Sequence, residues 1–186
     1  NPPPVAANDT ASTSEDTPIT GIAVLANDND PDGDPLTVTS ASALSGTVTI
    51  NPDGTLNYPP ARTSTAPDTT PYTTGAGTGG PSTATVTVTV GDVNDVPVRS
   101  GSVANQTNLD SQITNLPVAA AFSDADDDPL TFTAVGLPAG LSINPTTGVI
   151  SGTIDRSASQ TSGGVYAVTV TASDGRGGTV TQTFTW

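Results

Sequence analysis

The chain contains no cysteine, no histidine, no lysine and no methionine. Each absence closes a class of chemistry. Without Cys there are no disulfides and no thiolate metal site. Without His, Cys or Lys there is no Ser–His–Asp arrangement, thiol nucleophile or Schiff base. The missing Lys also removes Lys–Asn isopeptide cross-links. Basic residues are confined to four Arg, at 62, 99, 156 and 176, against 18 acids, for a net charge of −14. No basic face exists to neutralise phosphates, so nucleic-acid binding is excluded as an expectation. Aromatics are scarce: three Tyr, three Phe and one Trp. No stretch approaches the ~18 apolar residues of a membrane span, and no signal peptide is recognisable, so no membrane insertion is expected. The missing Met and the opening Asn1-Pro2-Pro3-Pro4 lead to the expectation of a piece of a longer polypeptide, a monomer on its own.

What is present is Thr, Val, Gly, Pro, Ser and Asp, with no helical periodicity and frequent period-two alternation. Thr85 to Val90 places three Val on one face and three Thr on the other, the pattern of a half-buried antiparallel strand. Shorter strand-like runs are 36–39, 46–50, 55–58, 130–135, 166–172 and 178–186. They are punctuated by turn signals such as Asn51-Pro52-Asp53-Gly54 and Asp174-Gly175. Strands this short at this spacing predict β-sandwiches.

The two halves repeat. Asp30-Pro31-Asp32-Gly33-Asp34-Pro35-Leu36-Thr37 recurs as Asp124-Ala125-Asp126-Asp127-Asp128-Pro129-Leu130-Thr131 at an offset of 94. The glycine pairs 79–80 and 177–178 precede the last strand of each half. Between the copies lies Asp92-Val93-Asn94-Asp95-Val96-Pro97, an acidic, stiff linker unlike a Gly/Ser hinge. The expected fold is therefore all-β: two tandem sandwiches, residues 1–95 and 96–186.

Three carboxylates at alternate positions repel one another, no Lys is present, and the Arg residues are expected to be distant. A hard divalent cation with oxygen ligands is the expected relief, and Ca²⁺ accepts such irregular geometry better than Mg²⁺. Two other motifs fail. Asp28 to Gly33 begins like an EF-hand loop, but position twelve is Thr39 and Pro35 intrudes. The run Gly75 to Gly80 lacks the Lys of a phosphate loop and reads as a hairpin connection. Paired carboxylates alone do not make a glycosidase site here, because they sit in turns with few aromatics to shape a sugar cleft. No enzyme is expected.

With these motifs in view, the chain resembles the cadherin-like and immunoglobulin-like repeats of large bacterial surface adhesins. Ser14-Glu15-Asp16-Thr17-Pro18, the Asp30–Leu36 segment, Ala172-Ser173-Asp174-Gly175 and Asp92-Val93-Asn94-Asp95 carry the likeness. The second half, with Gly136-Leu137-Pro138-Ala139-Gly140-Leu141, is similar to dystroglycan-type cadherin-like modules. The resemblance implies Greek-key Ig-like/cadherin-like sandwiches in an extended arrangement, with Ca²⁺ at the domain junction. It implies Glu15, Asp92, Asn94, Asp95, Asp124, Asp126 and Asp174 as ligands, with Asp128 a weaker candidate. A second site would use Asp30 and Asp32, but Ala76 stands where Asp174 is expected, so that site should be weak, partial or empty. The segment from Arg62 to Thr74 keeps only Tyr72 of an aromatic-rich strand and is expected to be poorly ordered. The implied role is a calcium-rigidified extender of an extracellular or cell-surface biofilm adhesin, its partners being neighbouring repeats. The alternative is calcium-dependent binding of cell-surface glycans or of like modules.

Overall fold

The computed structural model describes residues 1–61 and 67–186 and separates into two units, Asn1–Val93 and Asn94–Trp186. Among the described residues all regular elements are strands apart from three short 3₁₀ turns in the second unit.

The first unit comprises β1 (Asp9–Ser14), β2 (Ile19–Ile22), β3 (Leu36–Ala41), β4 (Thr49–Ile50), β5 (Leu56–Tyr58), β6 (Asp68–Ala76) and β7 (Pro81–Gly91). One sheet runs β1-β7-β6-β3 and the other β2-β5-β4. The Thr–Val alternation works as expected, with Val86, Val88 and Val90 buried in the core beside Val24, Leu56, Tyr58 and Tyr72. β7 pairs antiparallel with β6 but parallel with β1, so it is not purely antiparallel as its sequence implied. Of the run Gly75 to Gly80, residues 77–80 form the β6–β7 hairpin connection, while Gly75 and Ala76 end β6. β6 corrects another expectation: from Asp68 onward the segment is a nine-residue strand between two partners. Its inward face carries Asp68, Thr70, Tyr72, Thr74 and Ala76, hydroxyls replacing the missing aromatics. The remainder of that segment, residues 62–66, lies outside the described residues.

The second unit comprises β8 (Val98–Arg99), β9 (Ile113–Pro117), β10 (Phe122–Ser123), β11 (Thr131–Val135), β12 (Leu141–Ile143), β13 (Val149–Thr153), β14 (Ala167–Ser173) and β15 (Thr179–Thr185). Its sheets are β11-β14-β15, β12-β13-β9 and the short β10-β8 pair. Ile150, Val168, Val170 and Ala172 are fully buried, joined by Phe122, Phe132, Phe184 and Trp186. Alternation along β14 (Val168, Val170, Ala172 inward) produces this face. The β10–β11 and β14–β15 loops open at one end of the sandwich, and the β11–β12 and β13–β14 connections at the other.

Candidate functional site

In the second unit, the β10–β11 loop is built on Asp124. Its Oδ1 accepts the N–H of Asp126 at 2.9 Å and that of Asp128 at 3.4 Å, a local cap that suits Asp at turns. Asp127 takes a left-handed φ of 57° inside this turn. The carboxylate oxygens of Asp124, Asp126 and Asp128 thereby come within 4.8 Å of one another.

The entering chain is tied to the same end. Asp126 Oδ2 accepts the N–H of Asp95 at 2.7 Å. Asp174, in the β14–β15 loop, accepts Asn94 Nδ2 at 3.0 Å, Arg176 N–H at 2.7 Å and Gly178 N–H at 2.9 Å. The Asn94 bond, aided by these backbone amides, holds the Asp174 carboxyl below the ordinary value of 3.8 against the opposing effect of burial. Gly178 is needed there: a Cβ on it would run into Asp174 Oδ2 and the Pro97 ring. The second unit thus brings together Asn94, Asp95, Asp124, Asp126, Asp128 and Asp174.

One expectation is corrected. Arg176 is not remote from the acids, because its Nε lies 3.1 Å from Asp128 Oδ2. That pair neutralises one carboxylate of the set and engages the side chain of Asp128. Three buried acceptors at this end still have no hydrogen-bond donor: Asn94 Oδ1, Asp124 Oδ2 and Asp126 Oδ1. Buried oxygens without a donor are costly. A hard cation would satisfy them, and a donor set of carboxylate and amide oxygens is one that Ca²⁺ accepts.

In the first unit, Asp30 repeats the Asp124 turn. It is 7% exposed, its Oδ1 accepts the N–H of Asp32 at 2.9 Å and of Asp34 at 3.1 Å, and its Oδ2 has no donor. Asp32 is exposed and lies 3.9 Å from the terminal amine, while Asn1 bonds Asp34. Strand register places Ala76 opposite Leu36, directly after the Gly75–Thr37 pair, just as Asp174 follows the Ser173–Thr131 pair. The first copy therefore lacks that carboxylate. At the foot of this unit Glu15 is 1% exposed; its Oε1 accepts the N–H of Val93 at 2.6 Å and its Oε2 has no donor. Asp92 is exposed, one residue beyond β7.

Two polar hubs escaped the sequence reading. The Tyr72 hydroxyl, fully buried, lies 2.9–3.1 Å from Ala7 O, Val24 O, Asp9 Oδ2 and Asp28 Oδ1. Burial raises the Asp9 pKa. The Tyr58 hydroxyl donates to Asp68 at 2.7 Å. Asp28 had drawn notice only as the start of a failed EF-hand match; a lone Tyr opposite an Asp carries no periodicity, so no local signal marked either hub.

Comparison with known proteins agrees with this architecture. Residues 1–89 match the family described as "Bacterial Ig domain" and residues 96–186 the one described as "Putative Ig domain". None of the curated proteins matches the chain in sequence. Among solved structures, human mucin-like protocadherin EC1-2 is similar at 20% identity, with 98% of this chain and 96% of that one covered and a TM-score of 0.63. Human CDH23 EC21-23 is similar at 18% identity over 96% of this chain and 65% of that one, with a TM-score of 0.61. The human desmocollin-1 ectodomain matches at 18% identity over 98% of this chain and 40% of that one, with a TM-score of 0.51. At these identities the likeness is one of fold.

Proposed function

Because this chain is a tandem of two Ig-like, cadherin-like repeats, a kind of domain typical of extracellular adhesion proteins, we propose that it serves as a calcium-stiffened extender in a bacterial cell-surface or secreted adhesin. Such domains are generally extracellular and non-enzymatic, and no helix among the described residues is long and apolar enough to cross a membrane.

The observation that carries the reading is the set of donorless buried oxygens on Asn94, Asp124 and Asp126 beside the Asp124–Asp126–Asp128 carboxylates. Asn94 and Asp95 belong to the stretch that enters the second unit, so whatever loads this end also fixes that stretch. Asp174 positions Asn94 through its amide and Asp126 positions the Asp95 backbone. Bound Ca²⁺ would supply the positive charge that four basic residues cannot. Glu15 and Asp92 at the foot of the first unit, and Asp30 and Asp32 at its head, are proposed as further ligands. The head set is the weaker, since Ala76 contributes no oxygen. Extracellular sites of this kind have Kd on the order of 10⁻⁴ to 10⁻³ M, suited to millimolar calcium outside cells.

Calorimetric titration of the 186-residue chain with Ca²⁺, run beside hydrogen exchange, tests this. Saturable binding should be accompanied by slower exchange at the Val93, Asn94 and Asp95 amides, with core amides unchanged. Absence of binding at about 10 mM Ca²⁺, an order above the weakest Kd of this class, would overturn the proposal, as would binding that leaves those amides unprotected.

A further inference from the structure

The feet of the two units are built on the same backbone plan but carry opposite chemistry. In the first unit the N–H of Glu15 donates to Gly91 O at 2.9 Å. In the second the N–H of Gln106 donates to Thr185 O at 2.9 Å. Gln106 therefore occupies the place of Glu15, and Trp186, following Thr185, occupies the place of Asp92. An amide and an indole replace two carboxylates, so the foot of the second unit is not a copy of the acidic foot of the first.

What stands there instead is a cavity of about 580 Å³, within the size range of small-ligand sites. It lies at the end of the sandwich opposite the Asp124 loop, where β14 begins and β15 ends. Its walls are mixed: Tyr166 and Trp186, whose backbones bond each other at 2.8 Å, form an aromatic part with Leu109 and Val165 beside them, 78% and 60% exposed, and Gln106, Thr107, Asn108 and Thr185 add polar groups. The aromatics are held in place: Trp186 Nε1 donates to Asn108 Oδ1 at 3.0 Å, and the Tyr166 hydroxyl to Ala158 O at 2.8 Å. The single charged side chain in the lining is Asp110. Its carboxylate takes one donor on each oxygen, the Ser159 N–H at 3.0 Å and hydroxyl at 2.6 Å, which leaves further lone pairs free.

From this juxtaposition we propose that the foot of the second unit binds a cationic group on an apolar stem, such as the guanidinium or ammonium of an Arg or Lys side chain in a partner peptide. Three features select that class. The apolar part of the wall takes the stem, and aromatic rings favour a cation. Asp110 offers a preoriented carboxylate, and charge-assisted bonds to a carboxylate are about twice as strong as neutral ones. The surrounding field is negative, since the second unit has eight Asp against three Arg, and no Arg lines the cavity. An anion would meet uncompensated repulsion, and a neutral sugar would leave Asp110 without an ionic partner.

Trp186 is the only Trp in the chain and reports on the site directly. Its fluorescence is followed while benzamidinium, its uncharged isostere benzamide, benzoate and methyl glucoside are titrated, all in chelator. Working in chelator separates this test from the calcium reading, because the cavity shares no residue with the acidic cluster. Benzamidinium should saturate with Kd on the order of 1 mM, a reasonable efficiency for about nine heavy atoms. Benzamide should bind about tenfold more weakly, benzoate and the sugar not measurably, and added salt should weaken benzamidinium alone. Asp110→Asn, which keeps an acceptor for Ser159, should lower benzamidinium affinity about tenfold while leaving that of benzamide unchanged. Equal binding of benzamide and benzamidinium, tighter binding of the sugar, or no saturation by benzamidinium would overturn the proposal. So would an Asp110→Asn chain of unchanged thermal midpoint that binds benzamidinium as before.

Discussion

Raising the pH should unfold the first unit through its two buried tyrosines. Tyr58 and Tyr72 are each 1% exposed. Burial, then the hydrogen bond to Asp68 and its charge, push the Tyr58 hydroxyl up to about 12 from 10.0. Burial, with the bond to and charge of Asp28 and then the Asp9 carboxylate, pushes Tyr72 higher still. In the unfolded chain both ionise near their ordinary 10. The folded state therefore holds its protons more tightly, so the stabilisation is complete below about pH 10 and is lost as pH climbs through the folded values. Each proton costs about 1.4 kcal/mol per pH unit in that window. For two tyrosines at about pH 12 the loss is about 5 kcal/mol, comparable with the whole stability of a domain this size. The assay is denaturant unfolding monitored by far-UV circular dichroism and tyrosinate absorbance, in steps from about pH 9 to 12. Tyrosinate should appear together with loss of the first unit, and Tyr58→Phe should remove about half of the pH slope. If both tyrosines ionise while the first unit remains folded, or if the Tyr58→Phe, Tyr72→Phe double variant keeps the full slope, the reasoning fails.

Exchanging Asp124 and Asp126 for Asn should abolish the thermal stabilisation of the second unit by Ca²⁺, a gain of about 2.7 kcal/mol for the unmodified chain at a hundredfold excess over Kd; scanning calorimetry with and without the ion reads it. Gly178→Ala should cost about 1–3 kcal/mol by overpacking against Asp174 and Pro97, lowering the midpoint of the second unit and its calcium response together. Val88→Ala, at a position 0% exposed, should destabilise the first unit by about 2–3 kcal/mol. The same change at Val135, 66% exposed, should stay within about 0.5 kcal/mol in urea unfolding.

Alternation and punctuation are local, so they wrote the all-β architecture, the duplication and the Thr85–Val90 strand into the chain before any contact formed. The doubled Asp-x-Asp-x-Asp-Pro-Leu run belongs to the same level, because the turn is made by Asp124 bonding amides two and four residues on. Even the substitution of Ala76 for Asp174 could be counted off from the glycine pairs. What required the third dimension is every partnership between distant segments: the parallel seating of β1 on β7, Arg176 reaching Asp128, Tyr72 gathering oxygens from Ala7, Asp9, Val24 and Asp28, and Trp186 closing over Asn108. Such contacts are set by register and by the ends at which strands happen to turn. No periodicity along one segment encodes them, so an acidic foot and an aromatic-lined foot can share one backbone plan while differing in the side chains they present.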